Sequence, residues 1–591
     1  MKIFYLFIKT CFFLFLFGVT ILLNAEENNK ERLFLQKTDA RLLAQLSINK
    51  PTEFLVLMNE QADVRGAYNL TTKEEKGEFV FKKLTEITSR TQSNILSFLK
   101  SKAVSYRQFW IVNGIAVTGN IDLAKELASF PEVKSLLENS KFIVEKPVAN
   151  DYIAPRDATA RGIEWQITKV KADQVWALGF KGQGAVVAGQ DTGYEWDNLC
   201  LQEQYRGWNG AVGDHNYNWH DAVHTGGGGA CGVNSIAPCD DNKHGTHTMG
   251  SMVGDDKAGN QVGMAPKAKW IGCRNMNVGV GTLNSYLECF QWLLAPTDLK
   301  DQNPMPSKAP HVVNNSWGCD GTEGCNTSNF AVHQKAVGNL RAAGVLVVVS
   351  AGNDGSGCST VKTSSAIFDE SFSVGSTTNT DAMSSFSSRG PVTIDGSNRR
   401  KPDISAPGSG VRSCVPGGSF ASMSGTSMAG PQVVGLVALM ISANPALAGQ
   451  VDSIESIIER TAFRGVTNTQ TCGGTSPTTW PNNTVGYGRI DALAAVKEAI
   501  KFTTSIKPIP LEVSVKVFPN PANDILTFLL SDLREEGTIK IYSVEGQMLA
   551  ERPISSFETK VTISANGFAK GLYIYTLETP QQSYYGKFLK N

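Results

Sequence analysis

At 591 residues the chain is too long for one hydrophobic core, so several domains are expected. With 41% hydrophobic and 19% charged residues it has the composition of an ordinary globular protein. Its 55 Lys and Arg balance 55 Asp and Glu, and there is no long basic stripe, so no feature points to nucleic-acid binding.

The first segment pairs Lys2 and Lys9 with an apolar run from Cys11 to Leu23, closed by Leu23-Asn24-Ala25 before two glutamates. This is the pattern of a cleaved export signal over residues 1–25, and the run is short for a membrane span. Next, Glu53–Met58 reads as a strand, residues 74–101 as helical, Phe109–Asn113 and Gly114–Thr118 as strands, Asp122–Phe130 as a short helix, and Val133–Val144 as containing a last strand. Residues 26–150 therefore form a small α/β module. The polar, irregular stretch Ala149–Arg161 is expected to hold a processing cut ahead of Gly162-Ile163-Glu164-Trp165.

From residue 151 to 500, short apolar strands alternate with helical runs. Ala185–Ala188, Trp270–Cys273, His311–Asn314 and Val345–Val349 read as buried strands, and Ser285–Leu294, Asn329–Ala343 and Ser427–Ser442 as helices. Such alternation predicts an α/β domain with a largely parallel sheet and helices on both faces, where ligands bind beyond the carboxyl ends of the strands. Ile506-Lys507-Pro508-Ile509-Pro510 marks a linker within 501–512. Residues 513–591 then read as short alternating strands, predicting a small β-sandwich.

Three motifs in the middle domain carry chemistry. Gly189-Gln190-Asp191-Thr192-Gly193 supplies a carboxylate, Asp241-Asn242-Lys243-His244-Gly245-Thr246-His247 an imidazole, and Gly425-Thr426-Ser427-Met428-Ala429-Gly430-Pro431 a hydroxyl. Nucleophilic acyl transfer needs these three groups: Ser427 to attack, His244 to take its proton, and Asp191 to orient the imidazole. In this order they resemble the subtilisin-like serine proteases, or subtilases. Within that family His215–Asp221, Lys269–Met276 and Val313–Cys319 are most similar to the bacillopeptidase F type.

The resemblance implies a serine endopeptidase acting through an acyl-enzyme. It makes Asn353, in Ser350-Ala351-Gly352-Asn353-Asp354-Gly355, the oxyanion donor beside the Ser427 backbone N–H. It casts Ser316, Trp317 and Gly318 as the edge that binds substrate as an added strand, and it casts His247 as structural. If Ser359-Thr360-Val361 follows the subtilase path, Lys362 falls near the base of the first specificity pocket and favours an acidic residue before the cut. Residues 26–150 resemble the family's prodomain, a folding template and inhibitor.

The segments Val517–Ala522, Tyr542–Gln547, Gly571-Leu572-Tyr573 and Gly586–Lys590 resemble a type IX secretion C-terminal sorting domain. This implies passage through the outer membrane by a dedicated machinery, and a secreted or cell-surface product. The chemistry calls for no cofactor. Subtilases often bind calcium, and Asp240 and Asp241 are candidate ligands, but no loop has ligand spacing that names a site. Ten cysteines lie between Cys200 and Cys472, an even number that suggests disulfides in an exported domain. Cys231 with Cys239 and Cys319 with Cys325 are close enough to staple loops, and Cys273 is the expected buried free thiol.

Overall fold

The computed structural model describes residues 29–144 except 49, 162–318 except 227–228, 327–503, and 514–591 except 532, 534–535, 556–557 and 580–582. The expected export signal, the processing stretch, the linker and the Cys319–Cys325 pair lie outside these residues. The chain divides into two compact units that meet between Phe502 and Thr503.

The N-terminal module is a four-stranded antiparallel sheet in the order Tyr106–Phe109, Gly114–Gly119, Thr52–Met58, Val133–Glu138. The first of these is shifted from expectation: the strand comes earlier, and residues 110–113 turn. Side chains alternate across the sheet. Phe54, Val56 and Met58 face the module's own core with Leu42, Ile95, Leu99 and Leu127. Leu55, Ala116 and Leu137 face the other way and share one core with the helices Leu283–Leu294 and Thr327–Ala342 of the larger domain. Polar bonds bind the same junction. Lys335 Nζ donates to Ala62 O at 2.8 Å, Asn339 Nδ2 to Ile111 O at 2.6 Å, and Gln291 Oε1 accepts from Trp110 N at 2.6 Å.

The larger domain is built on seven parallel strands in the order Ile404–Pro407, Phe372–Thr377, Leu346–Ser350, Val312–Asn315, Val186–Asp191, Lys269–Arg274, Trp219–Asp221. Successive residues point to opposite faces. Val187, Val312, Leu346 and Val348 pack on the helices His244–Val253, Thr426–Ala443 and Ala492–Ala499. Ala188, Val313, Val347 and Val349 pack on Leu283–Leu294 and Thr327–Ala342. The sheet is therefore covered on both faces, as parallel sheets are. Helix Thr426–Ala443 is long and apolar enough to cross a membrane by length and composition, but 89% of it is buried as the central core helix. From Val312–Asn315 the strands follow chain order outward to Ile404–Pro407, while Val186–Asp191 is flanked on its other side by Lys269–Arg274, with Trp219–Asp221 at the edge. The connections therefore leave in opposite directions at the pair Val186–Asp191 and Val312–Asn315, and the switch point lies between them.

The C-terminal unit has two antiparallel sheets, one of Ser514–Phe518, Ile525–Ser531 and Lys560–Ser564, the other of Met548–Ile554, Gly537–Ser543, Gly571–Glu578 and Ser583–Lys590. Phe528 and Val561 of the first sheet share a core with Ile539, Ile541, Leu577 and Phe588 of the second, which makes the expected sandwich. Met548–Ile554 is a strand the sequence pattern did not give.

Cys231–Cys239 is bonded as expected. Cys273 is not free: it joins Cys289, tying strand Lys269–Arg274 to helix Leu283–Leu294. Cys358 joins Cys472, while Cys200 and Cys414 are buried thiols. Local sequence spacing missed Cys273–Cys289 because that bond is made by a strand and a helix meeting in space.

Candidate active site

Asp191 is the last residue of strand Val186–Asp191, and Ser316 and Asn353 follow the ends of the next two strands. His244 and Ser427 stand at the first turns of the helices His244–Val253 and Thr426–Ala443. The five residues thus gather at the carboxyl edge of the sheet, at its switch point.

His244 Nδ1 donates to Asp191 Oδ1 at 2.8 Å and lies 3.0 Å from Oδ2. Both side chains are buried. The pairing depends on a close approach of helix to loop. A Cβ on Gly245 would lie 2.0 Å from Gly193 O, so only glycine fits there. The helix start has no side-chain cap of its own. Thr192 Oγ1 accepts from Gly245 N at 3.0 Å and Asp240 Oδ2 from Thr246 N at 2.9 Å, covering two of the open N–H groups. Burial favours a neutral imidazole, but the Asp191 carboxylate outweighs it and raises the pKa of His244 above its ordinary value. Nε2 of His244 is buried with no hydrogen-bond partner.

His247 differs. Its Nε2 is shared by the carbonyls of Val411 and Ala421 at 3.1 Å, and burial, aided by His244, lowers its pKa to about 3. It is a neutral packing residue.

Ser427 Oγ contacts the Ser316 carbonyl at 3.4 Å. Its own carbonyl has lost its usual helix partner, because Pro431 lies four residues on and carries no N–H. Ser316 Oγ donates to that carbonyl at 3.0 Å instead, tying the serine turn to the strand end. The proline was visible in the sequence, but the role of Ser316 as its substitute was not. Gly425 is extended, with φ 163°, so it does not serve a left-handed turn. A Cβ there would face Asn353 Nδ2 at 3.4 Å.

Asn353 Oδ1 accepts from both N and Oγ1 of Thr426 at 2.9 Å. That fixes the amide's orientation and leaves Nδ2, buried and unpartnered, facing the site. Thr426 is a positioning residue that sequence reasoning passed over, though it adjoins Ser427. Lys362 Nζ lies 3.5 Å from Asp354 Oδ2, and both side chains are partly exposed. Trp317 is fully buried against Tyr286, Phe290 and His333.

Asp240 and Asp241 are engaged by the protein itself. Asp240 accepts from Thr192, Asn242, Lys243 and Thr246, and Asp241 pairs with buried Arg274. Among the described residues no group of three or more His, Cys, Asp or Glu is arranged to hold a metal ion.

One strand of the N-terminal module enters this region. Lys141–Ile143 pairs antiparallel with Val280–Thr282, and Ile143 bridges Gly318. Phe142 is fully buried against Tyr286, His333 and Trp317 at ring-centroid distances of 4.5, 4.9 and 5.8 Å.

Residues 182–488 match the family described as Subtilase family, and residues 516–591 match the Secretion system C-terminal sorting domain. Bacillopeptidase F of Bacillus subtilis is 34% identical over 490 residues, covering 78% of this chain but only 32% of that protein. M-protease of Shouchella clausii is 28% identical over 339 residues, covering 57% of this chain and 71% of its own length. Subtilisin E of Bacillus subtilis is 26% identical over 365 residues, covering 61% and 78%.

Proposed function

Because the chain belongs to the subtilase family, a family of serine endopeptidases, we propose that it hydrolyses peptide bonds in polypeptides with Ser427 as nucleophile, His244 as base and Asp191 as orienting carboxylate. Ser427 Oγ attacks the scissile carbonyl and its proton passes to His244 Nε2. Asp191 holds the other ring nitrogen and stabilises the imidazolium. The oxyanion lies between Asn353 Nδ2 and the Ser427 backbone N–H, at a helix N-terminus that favours negative charge. His244 returns the proton to the leaving amine, and water then hydrolyses the acyl-enzyme. Ser316, Trp317 and Gly318 bind the substrate backbone as an added strand.

The observation that carries this reading is a matched pair of orphans. His244 Nε2 and Asn353 Nδ2 are both buried and unpartnered at the edge where Ser427 stands. A buried polar atom without a partner costs on the order of 1–3 kcal/mol. Other buried atoms, His247 Nδ1 and His333 Nε2 among them, are unpartnered too, and what sets these two apart is their place at the strand ends with Ser427.

Residues 26–150 act in this proposal as an inhibitory prodomain, supported by the seating of Phe142 among the cleft aromatics. The sorting domain delivers the enzyme through an outer-membrane secretion machinery to the cell surface or the medium. The chemistry uses side chains and water. A stabilising calcium ion, common in the family, enters without an assigned ligand set. Mature protein treated with a fluorophosphonate probe should carry the label on Ser427 and lose its proteolytic activity in step. Active protein with no label on Ser427 would refute the assignment.

A further inference from the structure

Cys200 and Cys414 are buried side by side, and their thiols share a hydrogen bond. Neither takes part in the chemistry proposed above. Among the described residues the other cysteines are all joined, Cys231 to Cys239, Cys273 to Cys289 and Cys358 to Cys472. Cys414 lies in the strand Val411–Val415 and Cys200 in the turns that follow strand Val186–Asp191, so only the fold brings them together.

Both sulfurs rest against one face of the helix His244–Val253 and its end. A Cβ on Gly250 would lie 2.5 Å from Cys414 Sγ, and one on Gly254 would lie 2.8 Å from Cys200 Sγ. Positions four apart stack on the same helix face, so the two glycines make a slot that admits the sulfurs together. Cys414 Sγ also lies 3.8 Å from Thr246 O of that helix. The flanking segments are already stitched around the slot. Asn198 Nδ2 donates to Val415 O at 3.1 Å, Gly417 N to Glu195 Oε1 at 2.9 Å, and Asp255 N to Cys200 O at 3.0 Å.

We propose that the exported protein closes this pair into a disulfide, Cys200–Cys414, which braces the helix that carries His244. The match to a secretion sorting domain takes the chain out of the reducing cytoplasm, to where disulfides form and persist. Cys200 stands nine residues after Asp191 and Cys414 thirteen before Ser427. The bond therefore ties the segment leaving the carboxylate to the segment approaching the nucleophile, across the helix that starts with the base. It stands apart from the endopeptidase reading, since it needs no activity.

Burial pushes the Cys200 thiol well up, and Cys414 beside it adds to the shift. A thiol held in that form is a poor nucleophile, so the bond forms as the chain folds, before the helix covers the pair. The co-reactant is a protein or small-molecule disulfide. One cysteine thiolate attacks an oxidant sulfur and expels the other as a thiolate. The second cysteine thiolate then attacks the mixed disulfide and expels the remaining oxidant sulfur. The pair gives up two protons and two electrons, and the oxidant leaves as two thiols.

The test maps the secreted protein, denatured in iodoacetamide and digested, by mass before and after reduction. The expected result is a linked peptide pair containing Cys200 and Cys414 that separates on reduction. Alkylated Cys200 and Cys414 in a sample where Cys231–Cys239 and Cys358–Cys472 are intact overturn the proposal, as does either cysteine bonded elsewhere. A second measure is the rate at which activity is lost in urea. Cys200→Ala, Cys414→Ala and the double variant should all lose it faster than wild type, by about tenfold or more and to the same extent, because either change removes the whole bond. Single effects that add in the double variant would come from packing alone and would overturn the bond.

Discussion

Two buried histidine–carboxylate sites lie in the larger domain, and they are built oppositely. At Asp191 one carboxylate serves one imidazole, and the far nitrogen of His244 is left without a partner. At Glu288 one carboxylate serves two imidazoles and a guanidinium: His220 at 2.9 Å, His224 at 2.8 Å, and Arg107 of the N-terminal module at 2.6 Å. Asp301 lies 3.3 Å from the remaining nitrogen of His220. Both sites are buried His–Glu or His–Asp contacts of similar length, so proximity alone does not distinguish chemistry from structure. What distinguishes them is saturation. In the Glu288 cluster every ring nitrogen of His220 and His224 is engaged, whereas His244 keeps Nε2 unpartnered at the strand edge where Ser427 also stands.

The largest effects should come from breaking the open site. His244→Ala is expected to lower kcat by about 10⁶ and Asp191→Asn by about 10⁴, on the scale of the losses known for triad residues in the relative subtilisin and in serine proteases generally. Circular dichroism should show the fold retained. Next comes Asn353→Ala. It should lower kcat by about 10²–10³ with little change in KM, the magnitude of an oxyanion donor in subtilisin itself. A fall in kcat/KM carried wholly by KM would instead make Asn353 a ground-state contact.

Glu288→Gln should do the reverse. It leaves part-buried His220, His224 and Arg107 without their shared carboxylate, so the precursor should lose about 1–3 kcal/mol of stability, read as a lower urea midpoint. Labelling of Ser427 per folded, processed molecule should stay within a few-fold of wild type. A large loss of labelling there would mean that the two sites are coupled.

The smallest and most graded contrast is with pH. His244 must be neutral to act as base and its pKa is raised, so kcat/KM should fall as pH drops through a value above the ordinary 6.5. In the other cluster, burial opposes the charge on His220, but Asp301 and Glu288 outweigh it and raise its pKa to about 9. That stability is fully present below 6.5 and is lost as pH rises through about 9. Glu288 is held well below its ordinary 4.5, so its contribution is full above 4.5 and is lost in strong acid. The seat of Arg107 should therefore be firmest between about pH 4.5 and 6.5, and should loosen in alkali, where His244 becomes competent. Precursor stability that rises from pH 6.5 to 9 would contradict this.

Much of this was legible in the sequence, for physical reasons. Asp191, Ser316 and Asn353 each follow a run of apolar residues that can only be a buried strand, and parallel strands end at a ligand site. Gly425 to Pro431 announced a helix start around Ser427. What was hidden depends on long-range pairing. The Cys273–Cys289 bond, the role of Thr426 in aiming Asn353, and the gathering of His220, His224 and Arg107 on Glu288 leave no local pattern, because their partners come together only when strand, helix and module pack. Strands Phe372–Thr377, Ile404–Pro407 and Trp219–Asp221 were missed: Ser, Gly and Thr dilute the apolar signal of the first, Ser and Pro that of the second, and the third is three residues long with His and Asp in it.

The central claim is that His244, through its open nitrogen, activates Ser427, while the saturated histidines do not. The most direct measurement is the rate at which a fluorophosphonate labels Ser427 in mature wild-type protein, in His244→Ala and in His220→Ala. Wild type and His220→Ala should label at similar rates per folded molecule, and His244→Ala more slowly by about a thousandfold or more. Labelling of His244→Ala at the wild-type rate would contradict the account.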